Sequence, residues 1–227
     1  MRSVQIPDGR DRLDADLRMP DVPKGLVIFA HGSGSSRHSS RNKQVAEALE
    51  RAGFATVLLD LLTREEEAVD IRTLEFRFDI PRLARRVVAA ADWATQQPAL
   101  RELSIGYFGA STGAAAALIA AAERPQISHA VVSRGGRPDL AADALARVQA
   151  PTLLIVGGDD IPVIGMNEDA MRLMICEVRL EIVPGATHLF EEPGALEEVY
   201  RLAIRWFGRF LPNRSTQQGP AKVHATS

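Results

Sequence analysis

The sequence predicts one α/β domain with a mainly parallel central sheet, and two patterns support this prediction. Five short, unbroken apolar runs are typical of strands buried on both faces of a sheet: "GLVIFA", "FATVLLD", "LSIGYFG", "HAVVS" and "TLLIVGG". Helical patterns lie between the runs, a spacing that indicates right-handed strand–helix–strand units with helices on both faces. A chain of 227 residues with 46% hydrophobic residues suits one such domain and is too short for two comfortable ones.

An antiparallel hairpin is expected ahead of the parallel strands. Residues 4–6 and 13–19 flank the turn sequence "PDGRD", and the second run alternates apolar and polar residues. A last strand, "EVRLEIVPG", is expected before the final helix. The helical patterns cover residues 41–52, 80–95, 112–123, 140–147, 163–175 and 195–210.

Two further segments have distinct expectations. Residues 61–80 are acidic and connect a strand end to a helix, which predicts a partly helical loop at the carboxyl edge of the sheet, where open α/β sheets form ligand sites. Composition changes at Pro212, after which large apolar side chains almost disappear. We therefore expect a domain over residues 1–211 and a disordered tail over residues 212–227.

Charge and composition exclude several classes of function. The formal net charge is -2 and no basic block is present, so nucleic-acid binding is not expected. The single cysteine, Cys176, cannot form an internal disulfide, and the N-terminus lacks a positive patch followed by an apolar core. The longest apolar stretches fall short of the roughly 20 residues that cross a bilayer. A cytoplasmic protein without a membrane span is predicted.

The stretch "GASTG" places Ser111 between a predicted strand and a predicted helix. Glycines on both sides would allow a tight strand-to-helix turn that presents the hydroxyl at the carboxyl edge of the sheet, as in a nucleophile elbow. The same pattern also occurs in turns rich in glycine and alanine, where the serine only caps a helix. The partners of Ser111 decide between the two interpretations.

A serine nucleophile needs a base, and the base needs an orienting group. Asp160 or its neighbour Asp159 follows the strand "TLLIVGG", and His188 follows "RLEIVPG", in the order serine, acid, histidine. Asp160 fits the Gly-x-x-Asp spacing from Gly157 and is the predicted acid, while Asp159 stays as the alternative. The other histidines are expected to be structural, superficial or in the tail: His38, His129 and His224.

An oxyanion hole needs two N–H donors. One is expected from Thr112 at the helix start, and the other from Ser33 in the loop "FAHGSGSSRHSS", where His31 and Gly32 let the backbone turn. A phosphate-binding loop is a weaker interpretation of this segment, because the Gly-Lys-Ser/Thr ending is absent.

Taken together, these motifs resemble the dienelactone hydrolase-like branch of the α/β-hydrolases. The resemblance runs from the hairpin to about residue 210 and rests on "HGSGSSRHSSRN", "GASTG", "SRGGRPDLA", "LLIVGGDDIPVIGMN" and "GATHLFEEPGALEEV". This resemblance implies an α/β-hydrolase fold. Several of these blocks are similar to those of a subgroup of small hydrolases whose close relatives can be fused to phosphoribosyltransferase domains. Enzymes of this branch that open dienelactones typically carry a cysteine at the elbow, so Ser111 puts the literal dienelactone substrate in doubt.

The segment "SRGGRPDLA" adds two arginines near the active edge. Arg134 and Arg137 could bind a carboxylate or phosphate on the substrate. They could equally be structural and pair with Asp79, Asp139 or the acidic residues 65–67.

The sequence thus predicts a serine hydrolase that cleaves a small carboxylic ester or lactone with Ser111, His188 and Asp160, without a metal or organic cofactor. An acyltransferase or peptidase would use the same triad. A noncatalytic ligand-binding or interaction member of the fold is the alternative from another class, although an intact elbow and triad argue against it.

Overall fold

In the computed structural model, residues 1–211 are described, and they form an eight-stranded sheet flanked by helices. The predicted tail, residues 212–227, lies outside the described residues. The strands are β1 (Arg2–Asp8), β2 (Asp11–Arg18), β3 (Leu26–Ala30), β4 (Ala55–Leu59), β5 (Ile105–Ala110), β6 (Ser128–Arg134), β7 (Thr152–Gly157) and β8 (Val178–Val183). The helices are α1 (Ser40–Arg51), α2 (Arg64–Thr73), α3 (Ile80–Gln96), α4 (Thr112–Glu123), α5 (Ile161–Leu173) and α6 (Ala195–Phe210).

The strands follow the spatial order β1-β2-β4-β3-β5-β6-β7-β8. Strands β1 and β2 pair antiparallel through a tight turn, and β2 pairs antiparallel with β4. All pairings from β4 to β8 are parallel. The prediction of a mainly parallel sheet that begins with an antiparallel hairpin is confirmed.

The core has two layers, one on each face of the sheet. Tyr107 belongs to the cluster beneath α3 and α4, whereas the adjacent Phe108 belongs to the cluster beneath α1 and α6. Successive strand side chains point to opposite faces, so a strand covered on both sides needs apolar residues at every position. All six residues of β5 are buried, which explains why its sequence shows no alternation.

Two segments differ in detail from the predicted elements. Residues 61–80 contain a ten-residue helix, α2, that begins at a capping box: Thr63 accepts the Glu66 N–H and Glu66 accepts the Thr63 N–H. The segment Pro138–Arg147, predicted as a helix over 140–147, consists of 3₁₀ turns broken at Ala142, where φ is 46°. A non-glycine residue in that conformation cannot continue an α-helix.

Within residues 1–211, no helix has both the length and the apolar character that crossing a bilayer requires.

Candidate active site

The carboxyl ends of three strands bring the predicted triad residues to one edge of the sheet. Ser111 follows β5 directly, Asp160 follows β7 and His188 follows β8. Because these strands are parallel, their carboxyl ends share this edge. The loop after β3 reaches the same edge beside β5.

Ser111 lies on a strained turn between β5 and α4, with φ 49° and ψ -122°. Two glycines make this turn possible, since a Cβ on Gly109 would lie 2.4 Å from Ala114 Cα and a Cβ on Gly113 would lie 2.3 Å from Ala30 O. The Ser111 side chain makes no capping hydrogen bond to α4. Its hydroxyl is therefore not used as a helix cap, and the turn has the geometry of a nucleophile elbow.

The structure brings Asp160, and not Asp159, to His188. The Oδ2 atom of Asp160 lies 2.7 Å from His188 Nδ1, and the Asp160 side chain is 14% exposed. Asp159 is exposed, and its N–H donates to Ala186 O at 3.0 Å. With Nδ1 beside the carboxylate, Nε2 is the ring nitrogen of His188 that this contact leaves available.

The loop after β3 lies directly against the nucleophile. A Cβ on Gly32 would be 3.0 Å from Ser111 Cβ, so only glycine allows this approach without displacement. The N–H of Ser33 donates to Thr112 Oγ1 at 2.9 Å. The two residues predicted for the oxyanion hole are thus adjacent, and the Thr112 hydroxyl engages the Ser33 amide.

His31 joins this loop to the segment after β4. Its Nε2 accepts the Leu61 N–H at 3.0 Å, and its Nδ1 lies 2.9 Å from Gly32 O. Nε2 can accept only from the neutral ring, so Nδ1 is the nitrogen that carries the proton and donates it. Burial lowers the pKa of His31, although the charges of Asp60 and Glu67 oppose the effect. From the sequence, His31 was expected only to let the backbone turn. The signal for its further contact is a histidine directly after a buried strand.

Ser111 lies on the wall of a cavity of about 270 Å³. The same wall includes Ser33, Ser39, Arg41, Arg134 and His188. A second cavity of about 120 Å³ lies on the other side of the Gly32–Ser35 loop beneath α2. Apolar side chains line much of it, with an ion pair at one side: Leu61, Leu62, Ile71, Leu83, Asp70 and Arg77. The segment after β4 therefore lines this second cavity, and none of its residues is on the wall of the Ser111 cavity.

The two arginines of "SRGGRPDLA" have different surroundings. Arg137 forms two hydrogen bonds with Asp139, at 2.7 and 2.8 Å, and is not on the cavity wall. Arg134 is the last residue of β6, is 7% exposed, and lines the cavity. Burial, together with the charge of Arg41, lowers the pKa of Arg134 to about 10. Arg41, in the first turn of α1, was missed because only the packing of α1 brings it to this edge.

Cys176 lies at the opposite edge of the sheet from Ser111. It follows α5, and its Sγ is 3.9 Å from the hydroxyl of Thr152 at the start of β7. Burial raises the pKa of this thiol, which disfavours the thiolate.

Comparison with known proteins gives this architecture its family. The model of the dienelactone hydrolase family matches residues 13–211. The chain belongs to the dienelactone hydrolase family. Membership in this family, together with the fold, supports a hydrolase.

Two relatives are similar over most of this chain. A crystal structure of dienelactone hydrolase from Anabaena variabilis is 58% identical, covers 92% of this chain and 97% of its own, and superimposes with a TM-score of 0.91. "Putative phosphoribosyl transferase Rv0571c" from Mycobacterium tuberculosis is 55% identical over 204 residues, which are 90% of this chain and 45% of that protein. The chain thus spans about half the length of the curated relatives that it matches.

A more distant solved structure shares the fold alone. Est1E from Butyrivibrio proteoclasticus is 17% identical and superimposes with a TM-score of 0.74, covering 91% of this chain and 99% of its own.

Proposed function

We propose that the chain is a serine hydrolase that cleaves a small carboxylic ester or lactone. The observation that carries the proposal is the Asp160–His188 hydrogen bond of 2.7 Å at the edge where Ser111 occupies its strained turn. His188 and Ser111 line the same cavity. A base oriented by a carboxylate at the same cavity as a serine is the arrangement that activates a hydroxyl.

The reaction follows from these roles. As Ser111 Oγ attacks the ester carbonyl, its proton passes to His188 Nε2, and Asp160 stabilises the imidazolium. The ester C–O bond then breaks, and the departing alkoxide takes that proton and leaves as the alcohol. Water hydrolyses the acyl-enzyme with His188 again as base, which releases the carboxylic acid and restores the Ser111 hydroxyl.

The N–H groups of Ser33 and Thr112 are the proposed oxyanion donors. In the free protein the Ser33 N–H is engaged by Thr112 Oγ1, so rotation of that hydroxyl, or sharing of the N–H, accompanies formation of the oxyanion. One backbone donor at the start of α4 and one in the loop after β3 would stabilise the negative charge that develops on the carbonyl oxygen.

The name of the mycobacterial relatives refers to proteins more than twice as long as the aligned stretch. That stretch covers 90% of this chain, and the family model covers residues 13–211, so the two largely coincide. We propose that the shared part supplies hydrolysis in those proteins also, and that their phosphoribosyl transfer belongs to the remainder.

The proposal is tested by fluorophosphonate labelling followed by mass spectrometry, with hydrolysis of short-chain p-nitrophenyl esters measured in parallel. A single adduct on Ser111 is expected, and Ser111→Ala should lose the adduct and about three or more orders of magnitude in kcat. Ser3→Ala, which removes a hydroxyl from β1 far from the site, should keep both. Full activity in Ser111→Ala, or a folded wild-type protein without an adduct, would sink the proposal and favour the noncatalytic binding protein.

A further inference from the structure

A buried cation that has no counterion among the described residues lies on the same cavity wall as the proposed nucleophile. Arg134 is 7% exposed, and its Nε and Nη1 atoms are buried without a hydrogen-bond partner among the described residues. Arg41 is the charged neighbour that lowers the pKa of Arg134, and its charge is positive like that of Arg134. A buried guanidinium that lacks a counterion reduces the stability of the folded chain. A ligand that supplied negative charge there would remove this cost.

Further donors surround Arg134 on the same cavity wall. Arg41 donates from Nη1 to Glu191 at 2.8 Å, but its Nε is buried without a hydrogen-bond partner within residues 1–211. Glu191 is 62% exposed, so solvent screens much of its charge. Ser39 caps α1 from the cavity wall, and the first turn of α1 contains no acidic residue. The positive end of α1 therefore adds to the two guanidinium groups.

We propose that this cavity binds a phosphate monoester group carried by the substrate, held by Arg134 and Arg41 at the amino end of α1. This inference rests on the proposed function, because it makes the substrate of Ser111 a carboxylic ester or lactone that also bears a phosphate. Hydrolysis would act on the carboxylic ester and leave the phosphate in place.

The number of donors favours phosphate over carboxylate. A carboxylate has two oxygens, which one guanidinium fork satisfies. The wall offers nitrogens of two guanidinium groups that have no partner in the described part of the chain, together with the end of a helix. These donors suit the three terminal oxygens of a phosphate monoester. With a second pKa near 6, such a group is mostly a dianion at pH 7.5.

Calorimetric titration of the wild-type chain at pH 7.5 and low salt, with three small anions, tests the inference. Ethyl phosphate is the probe, ethyl sulfate has the same shape with one negative charge, and propionate presents a carboxylate. None is a carboxylic ester, so binding is measured independently of turnover. Ethyl phosphate should bind at least about tenfold more tightly than the other two.

Variants locate the binding and separate it from a structural role. Arg134→Met and Arg41→Gln should each weaken ethyl phosphate binding about tenfold or more. Arg209→Gln, which removes an exposed arginine of α6 that pairs with Glu177 before β8, should leave the Kd unchanged. Without ligand, Arg134→Met should raise the Tm, because it removes an unpaired buried charge.

Three results would overturn the inference: equal binding of the three anions, ethyl phosphate binding that survives both site variants, or a lower Tm for ligand-free Arg134→Met. Failure of the proposed hydrolase is distinguishable, since it appears as an unlabelled Ser111 whatever the calorimetry shows.

Discussion

Asp159 and Asp160 are neighbours in the chain with different surroundings. Asp160 Oδ2 lies 2.7 Å from His188 Nδ1, whereas the Asp159 side chain is exposed. A triad acid acts by holding the histidine in the tautomer that leaves Nε2 free to accept a proton. Only Asp160 has the contact that this role needs.

Asp160→Asn should therefore lower kcat for p-nitrophenyl esters by about two orders of magnitude or more, because an amide can hold His188 in the wrong tautomer. Asp159→Asn should keep kcat within about twofold and serves as the matched control. Steady-state kinetics at pH 7.5, with circular dichroism to verify folding, measures both. A larger loss in Asp159→Asn would transfer the role to that residue.

For single residues, the sequence predicts the backbone conformation better than it predicts the partners of the side chain. The glycines of "GASTG" predict a tight turn at Ser111 because the clash that they avoid is local, and φ 49° at that residue agrees. Arg134 and Arg137 lie three residues apart in one motif, yet only Arg134 lines the cavity. Which arginine faces a ligand depends on where β6 ends and on the packing of α1, and neither is encoded locally.

At the scale of elements, α2 shows what local signals can and cannot give. The start of α2 can be predicted from the sequence, because Thr63 and Glu66 have the spacing of a capping box. The position of α2 over the second cavity cannot, because it depends on a contact that is distant in sequence. In this contact the Glu66 carboxylate accepts a hydrogen bond from the buried Arg86 of α3. The prediction of a partly helical loop over residues 61–80 therefore included the helix but not the contact with Arg86 that holds it in place.

The connection from α2 to α3 is held by one buried carboxylate. Asp70 accepts the N–H groups of Phe76 and Arg77 at 2.8 and 2.9 Å, and Arg77 Nε at 2.6 Å. Burial alone would raise the pKa of Asp70, but these hydrogen bonds outweigh it and lower the pKa. The turn after α2, which borders the second cavity, depends on this residue.

Asp70→Ala should accordingly make the amides of Phe76 and Arg77 exchange at least about tenfold faster, a loss of about 1.4 kcal/mol in local stability. Hydrogen exchange followed by mass spectrometry measures the effect, with α4 amides as the internal reference. Thr73→Ala, which removes an exposed hydroxyl that donates to Val69 O and accepts the Glu75 N–H, is the control. Unchanged exchange over residues 76–77 in Asp70→Ala would contradict the assigned role.

At the scale of the whole molecule, the buried strands and their parallel direction follow from composition, since uninterrupted apolar runs fit only a sheet covered on both faces. The strand order does not follow. The hairpin pairs with β4 rather than with β3, which comes next in the chain. Charged contacts that are distant in sequence join this hairpin to the helices: Arg86 lies 3.4 Å from Asp8 and 3.3 Å from Asp11.

Glu66 makes the joint between the hairpin, α2 and α3 sensitive to acid. Burial would raise the pKa of Glu66, but hydrogen bonds from Arg86 and the Thr63 N–H outweigh it and lower the pKa from 4.5 to about 2. A carboxyl with a depressed pKa in the folded state contributes stability above its unfolded pKa and loses it as pH falls toward the folded value. The contribution of Glu66 is thus complete above about pH 5 and fades between pH 4.5 and pH 2.

Glu66→Gln should lower the free energy of unfolding by about 2 kcal/mol at pH 7, because Arg86 is fully buried and loses its closest counterion. Urea unfolding at pH 7, 5.5, 4 and 3 should show the same gap between wild type and variant at the two higher values and a narrower gap below pH 4.5. Glu65→Gln removes the same charge from the exposed side of the first turn of α2 and should cost less than about 1 kcal/mol. A gap for Glu66→Gln that stayed constant down to pH 3 would show that the carboxylate does not stabilise the joint through its charge.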